Sequence, residues 1–417
     1  MLIPRAIQPG FVLPRLGVRA VSVPRRALLV VALVLIAAAP HALNMSAYPA
    51  FTIADDEGIY ASQALAWLQT GAMSPYVYSY DHAPGGWIQL ALFYVLTGGA
   101  NAFGTPIDTG RVLMLLFHVG SALLLYRAAR LLGASSVAAT LAVIVFSVSP
   151  LAVFYQRMVL LDNIMLFWLL ASLVLALDAR SRAWLALSGI AFGVAVLSKE
   201  VAVLVAPVLL VISWRRHGWT GALAWSGAAA LAVLPYPAYA LARGELWPAK
   251  DPYLPYVEPN TLTARPSLLS TLAWQLSRPG GGLFSLDNDF FWYLRTDWLW
   301  KDAALLALGG AAIVANAVRG LRDRRLLVVS ALGAIPCLYL ARGGITFGFY
   351  ILFAVPFLAL NFALLLEAAF RRLERPRRLG LGGAIVVLLL GAYWCSGALQ
   401  PLYVQQPDGP GRAAAAW

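Results

Sequence analysis

Cysteine is almost absent. Only Cys337 and Cys395 occur in 417 residues, each inside an apolar run, so neither a disulfide framework nor a cysteine metal site is supported. Charge is scarce too, at 12% of residues, and acids number 19 against 31 bases. Lysine is the rarest base: Lys199, Lys250 and Lys301 stand alone among arginines, a bias of the kind a GC-rich bacterial genome produces. No nucleic-acid motif accompanies the arginines, no internal repeat is visible, and no polar stretch is long enough for a soluble domain. What remains is apolar. Hydrophobic residues make up 61% of the chain and mean hydropathy is +0.74, which excludes an ordinary soluble globule. The expected class is an all-α integral membrane protein.

The net charge of +12 sits in short Arg clusters between apolar runs, and such clusters orient a membrane protein with their side facing the cytoplasm. Arg5, Arg15, Arg19, Arg25 and Arg26 precede the run from Ala27 to Leu43, which puts 1–26 inside and makes that run an anchor rather than a signal peptide. Residues 87–96 reach only about 15 Å as a helix, half of a ~30 Å hydrocarbon core, so they lie flat or re-enter. Residues 44–110 therefore stay outside. Spans follow at 111–132, 137–154, 158–177, 183–198, 201–214, 219–241, 302–319, 326–341, 345–366 and 379–399, with Arg180, Arg182, Arg215, Arg216, Arg319, Arg322, Arg324, Arg325, Arg371 and Arg372 marking the inner face. The sum is about eleven spans. An outer loop, 242–301, is rich in Trp, Tyr, Pro and Gly and suits an acceptor role; the tail 400–417 ends outside.

The stretch around which the chain is organised is Asp55-Asp56-Glu57-Gly58-Ile59-Tyr60, which opens an amphipathic run ending near Thr70. Asp56 is a helix cap by position and Glu57 complements the helix's positive end; the same field keeps a carboxylate ionised and able to accept a proton. An ionised group in hydrocarbon costs a few kcal/mol, and the topology gathers such groups at the outer face: Asp55, Asp56, Glu57, Asp81, His82, Arg111, Arg157, Asp162, Lys199, Glu200 and Arg342. Acids beside cations suit transfer from a phosphate-linked donor, because fixed cations stabilise a leaving phosphate and an acid takes the proton of the attacking hydroxyl. Each cation has a plainer reading as an interfacial anchor or a structural ion pair, Arg157 with Asp162 or Lys199 with Glu200. Asp287-Asn288-Asp289 has the alternate spacing of a divalent-metal site, though a solvated turn explains it as well. Trp274, Trp292, Tyr293, Trp298 and Trp300 could stack on sugar rings or form an interfacial belt.

These residues resemble the lipid-linked glycosyltransferases of the GT-C fold, in the branch of protein O-mannosyltransferases and the lipid A aminoarabinose transferase. Asp56-Glu57 with Tyr60 resembles that family's first outer loop, whose Asp is regarded as the catalytic base. Tyr80-Asp81-His82-Ala83-Pro84 is similar to the His-Pro-Pro element, with Ala83 in place of the first Pro. Arg111 follows a loop like the family's donor-phosphate loop, and Arg157-Met158-Val159-Leu160-Leu161-Asp162 is close to the Arg-x-x-Leu-Leu-Asp element. Leu197-Ser198-Lys199 fits the Ser-Lys turn, and Arg342 with Tyr350 and Pro356 fits a later basic, Tyr, Pro pattern. The resemblance implies a GT-C-like helical bundle with outer-face juxtamembrane helices, its catalytic module over 27–241 and further helices over 302–399. It implies a polyprenyl-phosphate sugar donor, a hexosyl or pentosyl group, and an acceptor that is a lipid, glycan or protein outside a bacterial plasma membrane. Asp56 would act as base in an inverting displacement and Glu57 or Asp162 would hold geometry. Arg111, Arg157, Lys199, His82 and Arg342 would bind the donor phosphate, supported by Tyr60, Asp81, Asp162 and Tyr350. A divalent metal is left open, because oligosaccharyl relatives use one and mannosyltransferase-like members do not. Two rivals stand beside this reading: a transporter or flippase, which predicts inverted repeats and midplane charges, and an inactive partner subunit.

Overall fold

A computed structural model of the protein describes residues 25–50, 56–71, 80–247, 249–250, 264–265, 267–277, 285–372 and 377–403. Asp55, the first three N-terminal arginines, Arg375 and the tail beyond 403 lie outside the described residues, as does the side chain of Trp274.

The chain is a helical membrane bundle. α1 (Arg25–Ala42) is followed by α2 (Asp56–Thr70), which starts and stops where the amphipathic run predicts. α3 (Gly85–Leu96) has 12 residues, about 18 Å long, and is too short to cross. α4 (Pro106–Leu131) is begun by a capping box: Thr105 Oγ1 accepts the Asp108 amide at 3.2 Å, and Asp108 Oδ2 accepts the Thr105 amide at 3.0 Å. The span expected at 137–154 is two helices, α5 (Ser136–Val148) and α6 (Pro150–Tyr155), broken at Ser149. Pro150 is the cause, since it has no N–H to continue the ladder and restricts the residue before it.

α7 (Leu161–Leu177) and α8 (Arg182–Ser198) form a hairpin, and a 3₁₀ turn over Glu200–Val205 leads into α9 (Ala206–Val233). His217 and Gly218 leave helical geometry inside α9, and the Ser213 carbonyl lies 2.8 Å from where a Cβ on Gly221 would sit. The chain therefore reverses there, as the Arg215–Arg216 turn requires. α10 (Pro235–Ala242) ends the 219–241 stretch, and α11 (Leu268–Ser277) and α12 (Asp289–Tyr293) lie in the 242–301 loop, where Ala249–Lys250 pairs antiparallel with Ala264–Arg265, a short departure from an all-helical chain. A π turn over Leu294–Trp298 joins α12 to α13 (Leu299–Gly320). α14 (Arg324–Leu340), α15 (Val355–Arg372), α16 (Arg377–Ala398) and α17 (Gln400–Tyr403) complete the order.

Four stretches among the described residues are long and apolar enough to cross a membrane, Pro106–Leu131, Glu200–Ala242, Asp289–Gly320 and Gly348–Arg372, the second of them folded back at His217–Gly218. Shorter apolar helices at Ala27–Ala42, Ser136–Val148, Leu161–Leu177 and Arg182–Ser198 coincide with four more of the expected spans. The stretch ending in α15 is 89% buried inside the protein whereas Glu200–Ala242 is 28% buried, so α15 is the central helix and α9 a peripheral one. Leu28, Val137 and Leu321 are exposed on the bundle's flank, which in a membrane protein is the face for lipid rather than a defect.

Candidate active site

Three ion pairs build the site, two of them buried, and Glu57 makes the first. It is fully buried in the first turn of α2, and Arg111 of α4 is 1% exposed. Arg111 Nε donates to Glu57 Oε1 at 2.9 Å and its Nη2 to Oε2 at 2.6 Å, a bidentate fork. The Val159 amide donates to the same Oε1 at 2.8 Å, and Arg111 Nη1 donates to the Met45 carbonyl at 2.8 Å. Glu57 thus ties α2 to α4 and to the turn before α7. Its neighbour Asp56 is placed by that strut.

Lys199 makes the second pair. It caps the C-terminus of α8, is 3% exposed, and donates through Nζ to Asp162 Oδ2 at 2.6 Å. Its ammonium lies 4.3 Å from the Tyr350 ring centre and 5.0 Å from that of Phe349, so the charge is held by a carboxylate and two aromatic faces. Asp56 is half-buried, accepts Tyr60 Oη at 3.0 Å, and lies within electrostatic reach of Lys199, Asp162 and His82. Burial raises its pKa, and the Lys199 charge and the Tyr60 bond pull back only part of that shift. Desolvation dominates because the charged form loses water that its neighbours only partly replace. Asp56 is a stronger base for it.

The third pair is His82 with Glu200. His82 Nδ1 is 3.0 Å from Glu200 Oε2, and the Ala83 amide donates to Oε1 of the same carboxylate. Burial opposes protonation of His82, but the charge and hydrogen bond of Glu200 prevail and raise its pKa. Asp81 Oδ2 is 3.7 Å from the other ring nitrogen, and Asp81 Oδ1 accepts Gln275 Nε2 of α11 at 2.7 Å. Tyr80 Oη donates to Glu245 at 2.6 Å, so the 242–301 loop clasps the segment carrying His82. Gly85 lets that segment approach α8: a Cβ there would sit 2.7 Å from the Leu197 carbonyl oxygen, too close for any side chain.

These pairings correct two sequence expectations. Arg157 does not pair with Asp162, nor Lys199 with Glu200. Arg157 is 2% exposed and donates to the carbonyls of Tyr48, at 3.1 Å, and Pro40. Arg111 is spent on Glu57 and Met45. Neither cation is brought to Lys199. Arg342 stacks on Tyr339, 3.9 Å from the ring centre, and donates to the carbonyls of Tyr339 and Ile345 at 2.8 and 3.3 Å; Tyr339 also feels the charges of Lys199 and Asp162, so Arg342 borders the site.

Asn288 caps α12, and Asp287 and Asp289 flank it on either side. Asn288 Oδ1 accepts the Phe291 amide at 3.0 Å, Asp289 Oδ2 accepts the Thr346 amide at 3.0 Å, and Asp287 is exposed. Among the described residues no three His, Cys, Asp or Glu side chains come together as a metal site would require. One cluster escaped sequence reasoning: Tyr155 Oη donates to Asp297 Oδ2 at 2.6 Å and Lys301 pairs with the same carboxylate. Tyr293, beside it, is close enough to Asp56 to feel its charge. The four-residue spacing of Asp297 and Lys301 was the available signal.

The family described as "Dolichyl-phosphate-mannose-protein mannosyltransferase" matches residues 82–239, a stretch that holds His82, Arg111, Arg157, Asp162 and Lys199 and stops short of Asp56. No curated protein matches the chain. Among solved structures, ArnT from Cupriavidus metallidurans bound to undecaprenyl phosphate aligns over 94% of this chain and 69% of its own, with 18% identity and a TM-score of 0.60. The Archaeoglobus fulgidus oligosaccharyltransferase tethered with an acceptor peptide aligns over 92% of this chain with 14% identity and a TM-score of 0.58. A structure of the Archaeoglobus fulgidus oligosaccharyltransferase AglB with an inhibitory peptide and a dolichol-phosphate gives 14% identity, 92% coverage and a TM-score of 0.57. This chain spans 56% of the length of either oligosaccharyltransferase chain. A polytopic bundle that superposes on these structures over nearly its whole length has the GT-C fold.

Proposed function

We propose that the protein is a membrane glycosyltransferase that moves a sugar from a polyprenyl-phosphate donor to an acceptor outside the membrane. The observation that carries this reading is the half-buried carboxylate of Asp56 beside a buried Lys199. A base of raised pKa next to a fixed cation is what a displacement at a phosphate-linked carbon needs. The undecaprenyl phosphate and dolichol-phosphate in the similar structures support the donor class.

Asp56 accepts the proton of the acceptor hydroxyl as that oxygen bonds to the anomeric carbon. The bond from that carbon to the phosphate oxygen breaks, and its electron pair leaves on polyprenyl phosphate. Lys199 meets the charge that develops there, held on Asp162 and the Tyr350 ring, with Arg342 at the border. Glu57 and Arg111 are positioning residues that fix α2. A single displacement inverts the anomeric centre. The acceptor approaches past the 242–301 loop, which the bonds of Glu245 and Gln275 hold against the His82 segment.

A panel of labelled polyprenyl-phosphate hexoses and pentoses, incubated with the full chain in native membranes, tests the reading. Release of polyprenyl phosphate from one donor, with a product of opposite anomeric configuration, is expected. Retention of configuration would remove the single displacement. No release from any donor by folded protein would favour the transporter or partner-subunit reading.

A further inference from the structure

The end of the bundle opposite Asp56 holds a cavity of about 150 Å³ between the last turns of α4, α13 and α15 and the start of α14. α4 sets the separation. Arg111 lies in its second turn and Gly133 just past its end, and 26 residues reach about 39 Å, more than a ~30 Å hydrocarbon core. The cavity and the Asp56 cluster therefore face opposite sides of the membrane.

Arg319, Arg325 and Arg371 line the cavity together with Asp323 and Glu367. Both carboxylates are engaged. Asp323 Oδ1 accepts the Arg325 amide at 3.1 Å as the cap of α14, and Glu367 accepts the Ser135 amide at 3.3 Å and Arg371 Nη2 at 2.6 Å. Arg319 donates through Nη1 to Asn316 at 2.7 Å, leaving its other donors unassigned. The Arg325 guanidinium makes no hydrogen bond or ion pair among the described residues. It lies over Gly133, with Nη1 3.1 Å from where a Cβ would sit, and Gly133 has φ +96°, a conformation that favours glycine. The absent side chain opens the floor under a guanidinium with donors to spare.

Helix C-termini attract cations, and arginines mark the cytoplasmic side of membrane proteins. Those effects account for arginines at this end, but not for a cavity faced by an unpaired one. Two guanidiniums across a small cavity match a phosphate, which accepts from planar donor forks. A second requirement comes from the neighbours of its arginines in sequence: Val318 and Leu321, within two residues of Arg319, and Phe370, next to Arg371, are 64%, 79% and 45% exposed. A phosphate joined to acyl chains satisfies both.

We propose that this cavity binds the phosphate of an anionic phospholipid headgroup, with the acyl chains lying along the exposed face of α13. The site does not depend on the transferase reading, and its test reads binding rather than turnover. Native mass spectrometry of the full chain in detergent, with added phosphatidylglycerol, phosphatidylcholine or inorganic phosphate, measures occupancy directly. Phosphatidylglycerol is expected to be retained over phosphatidylcholine, and Arg325→Ala to lower that retention roughly fivefold, the effect of one basic contact. Arg325→Lys should keep part of it. Arg325 is exposed and unpaired, so its truncation leaves the fold intact; Arg319→Gln provides a second variant of the same cavity. Equal retention of the two lipids, or unchanged retention in both variants, would overturn the site. Binding of inorganic phosphate that displaces the lipid would overturn the lipid as its source.

Discussion

At the scale of residues, the account turns on Asp56 and Lys199 having different tasks. On the proposed mechanism Lys199 meets charge that appears only as the donor bond breaks, so Lys199→Met should cut kcat by about 100-fold or more while changing KM little. A change in KM alone, measured by steady-state transfer, would make Lys199 a binding residue instead. Asp56 must be ionised to act, so kcat/KM should fall as pH drops through its raised pKa. The Tyr60 hydroxyl stabilises the ionised carboxylate, and its loss raises that pKa further. The acid limb of the pH–rate profile in Tyr60→Phe is therefore expected at higher pH than in the parent; a limb that stays or moves down would remove Asp56 from the titration. Asp56, His82, Asp162 and Lys199 were legible in the sequence because ionisable groups stand out in so apolar a chain. Their partners were not, because Lys199 and Asp162 lie 37 residues apart, Arg111 and Glu57 54, and His82 and Glu200 118; spacing carries no signal over such distances.

At the scale of elements, hydropathy and Arg clusters located the helices well. α2 begins at Asp56 as its acids imply, and α3 is as short as its apolar run. Single residues decided what was missed. Pro150 divided one expected span, and the Glu57–Arg111 fork, invisible to periodicity, joins α2 to α4. Truncating one partner of that fork leaves a buried charge unpaired, so Glu57→Gln and Arg111→Ala should each destabilise the protein by about 3–5 kcal/mol. Replacing both by Met should recover much of the loss, since it removes the stranded charge. Thermal unfolding in detergent checks this; a double variant no more stable than the singles would show that the pair does more than hold two helices together.

At the scale of the whole molecule, one bundle presents two polar ends of different kinds. One end has acids, Lys199 and His82 beside the 242–301 loop; the other has arginines around a small cavity. Asp56 is the residue on which the first end depends. The most direct measurement is release of polyprenyl phosphate from a productive donor by the parent and by Asp56→Asn, in membranes carrying equal amounts of folded protein. Replacing the carboxylate with a carboxamide of the same shape removes the base, and a loss of about 100-fold or more is expected. Release by Asp56→Asn at the parent's rate would contradict the account.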